Sequence, residues 1–251
     1  MSPELKTAAK RALLTVGLDV KYHRDPLRFL QTTGIRTVLD IGANEGQFAA
    51  AVRKVLPSAR IFSFEPLDDP FRKLLDSHHG DGNFEAFHVA VGSQAGEADF
   101  AVHASSATSS MLEPTEHFSR IVPSTAARTR VKVPVVTLDG WAATRELPAP
   151  LLVKMDVQGF EDHVIRGGRQ TLARAAVVIS EVSFAGLYQG QPLFEDILDL
   201  MRPLGFRCGG MLGGFWDQRT GEMLEADAIF IRRLLWDRPS LSSGLSPRPR
   251  V

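Results

Sequence analysis

The sequence predicts an α/β fold, a mostly parallel sheet with helices on both faces, and three observations carry that expectation. Short apolar runs of strand length alternate with segments of helical period, the pattern of βαβ units. The run at residues 37–41 contains Asp40 and passes into the turn Gly42-Ala43-Asn44-Glu45-Gly46. The next run, residues 60–65, ends in a lone carboxylate, Glu65, followed by Pro66. A glycine turn and an acidic strand end, at the carboxyl ends of consecutive strands, are where a parallel α/β fold holds a nucleoside.

The elements follow in order. Residues 1–25 are mixed and basic, and suit a short helix with Leu13, Leu14 and Val16 on its apolar side. Asp25-Pro26 reads as an N-cap and first helical position, opening a helix through Leu30. Strand 37–41 precedes a helix over 45–56, whose apolar residues Phe48, Ala49, Val52 and Val55 repeat at helical period until Pro57. Strand 60–65, helix 66–76, strand 84–91 and an added strand over 97–103 come next. The stretch 103–129, rich in Ser, Thr and Ala, is too long for a plain connector and reads as a lid or substrate loop. Strands at 131–138, 151–156 and 176–182 enclose helical turns over 160–173. A helix over 193–201 stops at Pro203 and Gly205, and residues 206–216 and 226–231 make a terminal antiparallel hairpin. The division is an N-terminal helical segment, 1–35, one catalytic domain, 36–236, and a tail, 237–251. The tail is rich in Ser, Pro and Arg and is expected to be disordered.

Composition narrows the function. The 251 residues, 44% hydrophobic, suffice for one α/β domain with a full core. Twenty-nine basic residues balance 29 acidic ones, so no global field draws the chain to nucleic acid or an anionic membrane. A single cysteine, Cys208, excludes an internal disulfide and points to a reducing compartment. No window approaches the ~18 apolar residues of a membrane span, and residues 1–10 lack a signal-peptide core. A cytoplasmic enzyme is the expectation, with its oligomeric state open.

The glycine turn selects among cofactors. Glu65 lies 23 positions after Gly42 (65 − 42), where a ribose diol is bonded. A dinucleotide fingerprint needs three glycines, and Asn44 stands where the middle one lets a backbone approach a pyrophosphate. Asp40 and Glu45 add negative charge nearby. Such surroundings suit a cationic cofactor, and S-adenosylmethionine, with its sulfonium and α-amino group, fits. The form D-x-G-x-x-x-G of Asp40, Gly42 and Gly46 resembles the first motif of Rossmann-like methyltransferases.

A second constellation is Lys154-Met155-Asp156-Val157-Gln158-Gly159-Phe160-Glu161. Lys154 and Asp156, two apart at the end of a buried strand, share a face. Asp156 can cap the following helix, Lys154 can simply pair with it, and Glu161 can favour a helix N-terminus. With Val38–Gly46, Phe64-Glu65-Pro66, Val89-Ala90-Val91-Gly92, Thr108–Leu112, Val136-Thr137-Leu138-Asp139 and Gly167, this ordered set resembles the FkbM family of S-adenosylmethionine-dependent methyltransferases over residues 36–231.

The resemblance implies a Rossmann-like seven-stranded methyltransferase sheet, mostly parallel with a C-terminal antiparallel hairpin. It implies methyl transfer to a hydroxyl of a sugar, glycan or secondary metabolite, so the partner is a small-molecule or glycan acceptor. It places Asp40, Gly42 and Asn44 at the methionine end of the cofactor, Glu65 at the ribose, Ala90 at the adenine and Asp156 beside the methyl group, with Gly46 and Pro66 also among the cofactor-binding residues. An alcohol is a poor nucleophile at neutral pH, so its proton must be taken or its developing charge must meet a metal. Asp156 is the candidate base or metal ligand, and Lys154 would orient it or bind a substrate oxygen. Glu161 and His163 are second candidates, and His103 and His117 candidate substrate contacts. The metal is unassigned, although the carboxylates of Asp156, Glu161 and Glu181, with His163, could hold a hard cation such as magnesium. An NAD-dependent oxidoreductase and a non-catalytic cofactor-binding module are the alternatives.

Overall fold

In the computed structural model, residues 25–125 and 129–232 are described. The expected helix before residue 25 and the tail from residue 237 lie outside them. The strands are β1 Thr37–Ile41, β2 Arg60–Phe64, β3 Phe84–Phe87, β4 Ala90–Val91, β5 Gly96–Val102, β6 Thr129–Val136, β7 Leu151–Met155, β8 Ala175–Ser183, β9 Phe206–Trp216 and β10 Met223–Arg232. The helices are α1 Gln47–Val55, α2 Asp68–Ser77, α3 Glu116–Ile121, α4 Leu138–Ala142, α5 Glu161–Gly167, α6 Arg169–Leu172 and α7 Phe194–Met201.

Seven strands form the main sheet in the order β3-β2-β1-β7-β8-β10-β9. All neighbours pair in parallel except β10, which runs antiparallel between β8 and β9. The expected seven-stranded sheet and hairpin are therefore present, with the hairpin's second strand inserted inside the sheet. The chain builds outward from β1 to β3 and then returns to add β7 on β1's other side. That reversal makes the β1/β7 boundary the switch point where an open α/β sheet binds ligands.

Strands buried on both faces read as continuous apolar runs, and β1 and β7 are buried throughout. Successive residues enter opposite cores. Leu39, Ile41, Phe62, Phe64, Val153 and Met155 join the core beneath α4–α7, while Val38, Ile61 and Leu152 join that of α1, with Leu27 and Leu30. Phe64, Phe87 and Trp141 pack ring on ring, with Arg145 over Phe87 and Trp141.

Three local expectations change. The strand over 84–91 divides, because β2 ends at Phe64 and offers β3 nothing to pair beyond Phe87. Ala90–Val91 then joins a second sheet, β4-β6-β5. The helix at Asp25-Pro26 is a 3-10 turn, Arg28–Thr32, and Asp25 makes a local turn by accepting the Leu27 N–H at 2.9 Å. The 103–129 stretch is not a plain loop. It holds short 3-10 turns at Ser106–Thr108 and Pro123–Thr125 around α3, whose Phe118 is buried with Leu187, Tyr188 and Leu224.

Gly42 marks where β1 and β7 close on each other. It has φ +78, and a Cβ there would fall 1.8 Å from the Asp156 carbonyl oxygen. Its close approach is thus to protein backbone. Gly42→Ala should cost about 2–5 kcal/mol, summing left-handed strain and overpacking, read as a lower denaturant midpoint of the ligand-free protein. A midpoint within error of wild type would show that β1 and β7 separate freely here.

Candidate active site

A cavity of about 330 Å³ opens at the carboxyl ends of β1, β2 and β7. Following strand order, Glu65 and Pro66 stand after β2, Gly42 and Asn44 after β1, Asp156 and Gln158 after β7, and Glu181 and Glu225 on β8 and β10. Ala90 and Phe100 of the small sheet form another wall, and the Ser106–Thr108 turn covers it.

Beyond β2, Glu65 accepts the Asn44 N–H at 2.8 Å through Oε2 and the Leu67 N–H at 2.9 Å through Oε1. Each oxygen keeps a lone pair. Burial nevertheless pushes this carboxyl up to about 7 against those two donors, and the charges of Asp40 and Asp156 push the same way. Asn44 holds a left-handed φ of 47, a conformation Asn tolerates better than most residues. Its Oδ1 accepts the Ser106 hydroxyl at 3.0 Å, joining the covering turn to the β1 turn.

Behind the cavity runs a buried polar row. The register sets Asp40 beside Ser63 on one side and Lys154 on the other. Ser63 donates to Asp40 at 3.2 Å. Burial pushes Asp40 up to about 7, although Lys154 and Ser63 favour its charge. Lys154 is 5% exposed. Its ammonium meets Asp156 at 3.1 Å and Asp227 at 3.0 Å. Burial opposes its charge, but Asp156, Asp227 and Glu181 outweigh that and hold it above the ordinary lysine range.

Asp156, with its side chain 38% exposed, faces the cavity. Its Oδ1 accepts the Gln158 amide at 3.0 Å, and the same nitrogen donates to Glu181 Oε2 at 2.8 Å. Glu181 is held well above its ordinary value by desolvation, then by Asp156 and Glu225. Glu225 is pushed to about 7 by desolvation, then by Asp156 and Asp227. Glu161 is buried and accepts the Val157 N–H at 2.9 Å, closing the turn after β7, and burial raises it to about 8.

The expected site residues thus separate. Gly42, Asn44, Glu65, Pro66, Ala90 and Asp156 line the cavity. Asp40, Lys154 and Glu161 lie behind the lining. Gly46 lies away from it and seats α1, since a Cβ there would strike His78 and Leu74. His163 stacks on Phe160 and shares a hydrogen bond with Ser93 at 3.0 Å, also outside the lining. His103 is buried and His117 half-buried, and neither reaches the cavity. Among the described residues, no three His, Cys, Asp or Glu side chains are grouped to hold a metal ion. No described helix is long and apolar enough to cross a membrane. Ser106, Gln158, Glu225, Asp227 and Tyr188 are site residues the sequence reading passed over. Gln158 stood inside the quoted motif, while Glu225 and Asp227 arrive through β10 pairing alone.

A mostly parallel sheet of reversed order, with a cavity at its switch point and a carboxylate after the second strand, is the frame of α/β enzymes that bind nucleoside cofactors. Residues 40–208 match the methyltransferase FkbM domain, and the chain belongs to that family. It is 30% identical over 197 residues to the 2-O-methyltransferase NoeI of Sinorhizobium fredii, covering 73% of this chain and 77% of that protein. It is 24% identical over 167 residues to the hexuronic acid methyltransferase AglP of Haloferax volcanii, covering 65% of this chain and 64% of that one. A crystal structure of methyltransferase FkbM from Methylobacillus flagellatus superposes with a TM-score of 0.47 at 14% identity, over 78% of this chain and 43% of that one.

Hydrogen bonds to a charged group contribute about 1.5–3 kcal/mol each. Glu65→Ala should therefore weaken S-adenosylhomocysteine binding at least about tenfold, read by calorimetry on protein of native melting behaviour. Unchanged affinity would remove Glu65 from the ribose site.

Asp40, Glu65, Glu225 and Glu161 carry folded-state values raised from 3.8 or 4.5 to about 7 or 8. The folded protein then holds more protons than the unfolded chain between those limits, so these groups lose stability as pH rises. The ligand-free protein should melt lower at about pH 8 than at about pH 5.5. A midpoint that rises across that window would contradict the burial of these acids.

Proposed function

We propose that this chain transfers the methyl group of S-adenosylmethionine to a hydroxyl oxygen of a sugar or glycan, with Asp156 as the base. One observation carries the reading: a single cavity is lined by both Glu65, placed for a ribose, and Asp156, held in orientation at the next switch-point strand. The residues present fit the cofactor. Glu65 has lone pairs free for two hydroxyls, Ala90 and Phe100 offer an apolar wall for a base, and Asp156 and Glu181 favour positive charge. S-adenosylmethionine supplies an electrophilic methyl group on a sulfonium.

The chain's own work concerns the acceptor. Lys154 and Gln158 take one oxygen each of Asp156 and hold its plane. Each oxygen keeps a further lone pair for the acceptor's proton. Glu181 and Glu225 offer additional acceptors to sugar hydroxyls, and the Ser106–Thr108 turn shields the site from water. The 2-O-methyltransferase activity of one relative supports transfer to oxygen, and the hexuronic acid named for the other supports a sugar acceptor. An NAD-dependent oxidoreductase is not favoured, because Asn44 fills the place of the middle glycine and carboxylates crowd where a pyrophosphate would lie. Residues 36–236 form the catalytic unit in this reading, and a lone free cysteine suits a reducing cytoplasm.

The direct test is methyl transfer from labelled S-adenosylmethionine to a panel of hexoses, deoxyhexoses and uronic acids carrying defined free hydroxyls. Asp156→Asn keeps shape but removes basicity, and should lower turnover about 10²–10⁴-fold while S-adenosylhomocysteine affinity stays within a few-fold. Near-normal turnover in that variant would shift the base to another group. Lost stability with activity retained would leave Asp156 a structural cap.

A further inference from the structure

We propose that Gln158 is a positioning residue for the reaction, whose amide sets the orientation and charge of the Asp156–Glu181 pair, and that Tyr188 fixes that amide. The inference rests on the reading of Asp156 as the base. Gln158 is buried and holds a left-handed φ of 55. Non-glycine residues keep such conformations where the surroundings over-determine them, and they cluster at functional sites.

The surroundings here are fully specified. The amide nitrogen donates to Asp156 Oδ1 at 3.0 Å and to Glu181 Oε2 at 2.8 Å, which uses both of its hydrogens. The amide oxygen lies 2.8 Å from the Tyr188 hydroxyl, whose single proton it shares with the Thr108 carbonyl, also at 2.8 Å. The backbone carbonyl accepts the Ser110 hydroxyl at 2.7 Å, tying the covering segment to the same residue. Two carboxylates on one side set the nitrogen end of the amide toward them.

The consequence is electrostatic. Two carboxylates brought together disfavour each other's charge, whereas N–H donors favour it. Gln158 is neutral, so it bridges the two without adding a charge that would compete with Lys154. The other charged groups facing the pair are Lys154 on β7, Asp40 on β1, Glu65 after β2, Glu225 and Asp227 on β10, and Glu161 on α5. Lys154 occupies the other oxygen of Asp156, so loss of the Gln158 contact would free the carboxylate plane to turn about that single tie.

The test uses Gln158→Met, which keeps length and volume but lacks both donors, and Tyr188→Phe, which removes the hydroxyl lying between the amide oxygen and the Thr108 carbonyl. Loss of a bond to a charged group should lower kcat about 10–100-fold in Gln158→Met, with KM for S-adenosylmethionine within about threefold. The acid limb of its turnover profile should move up by about one pH unit. Tyr188→Phe should show the same changes at smaller size. Carbon-13 carboxyl shifts give a readout independent of any acceptor, and the Glu181 signal should titrate higher in Gln158→Met. Unmoved pH limbs and an unmoved Glu181 signal would overturn the proposal, as would parallel loss of melting temperature and cofactor affinity with kcat intact. Asp156→Asn run beside them separates the two ideas. If it stays active, the base is elsewhere. If it is dead while Gln158→Met behaves as wild type, only the positioning role falls.

Discussion

Much of the site depends on one buried ammonium. Lys154 projects from the middle strand of a sheet buried on both faces, and its charge is felt by Asp40, Glu161, Glu181 and Glu225 as well as by its direct partners Asp156 and Asp227. One ammonium thus offsets the crowding of six carboxyls around one strand end. Replacing one partner of a buried pair leaves an uncompensated charge, a larger penalty than the pair's net contribution. Lys154 therefore joins fold to function: it satisfies the core side of β1 and β7 through Asp40 and sets the cavity side through Asp156.

The main sheet was legible because its central strands are buried on both faces. Such strands show their pattern, and β1, β2, β7 and β8 appear as mainly apolar runs broken by single polar or charged residues. Their strand-end acids stood out for the same reason, since a carboxylate closing an apolar run needs a purpose. The small sheet was not legible in this way. Ala90–Val91 is two residues long and pairs with a strand some forty residues later, a contact that no local period announces. The covering segment was equally opaque. Its Ser-rich composition looks like a loop, and its order comes from tertiary contacts, Phe118 in an apolar cluster and Ser110 on the Gln158 carbonyl.

Gly42, Gly46 and Asn44 show how one motif carries separate physical demands. Gly42 is required by the neighbouring strand's backbone, and Gly46 by Leu74 of α2 and by His78 just beyond it, which would meet any side chain there. Asn44 alone of the three turns a backbone N–H toward the strand-end carboxylate, Glu65. The family resemblance assigned all three to the cofactor. Only packing separates those that build the turn from the one that equips it.

The acids of the cavity suggest why the protein tolerates them. Burial holds several carboxyls near neutrality in the ligand-free protein, which is a cost to stability rather than a gain. Sites prepared for charge are often kept at the expense of stability. A cationic ligand reverses the balance, because each carboxylate it approaches becomes easier to ionise. A methyl donor with a sulfonium and an ammonium would thus be bound most favourably by the same arrangement that destabilises the empty fold.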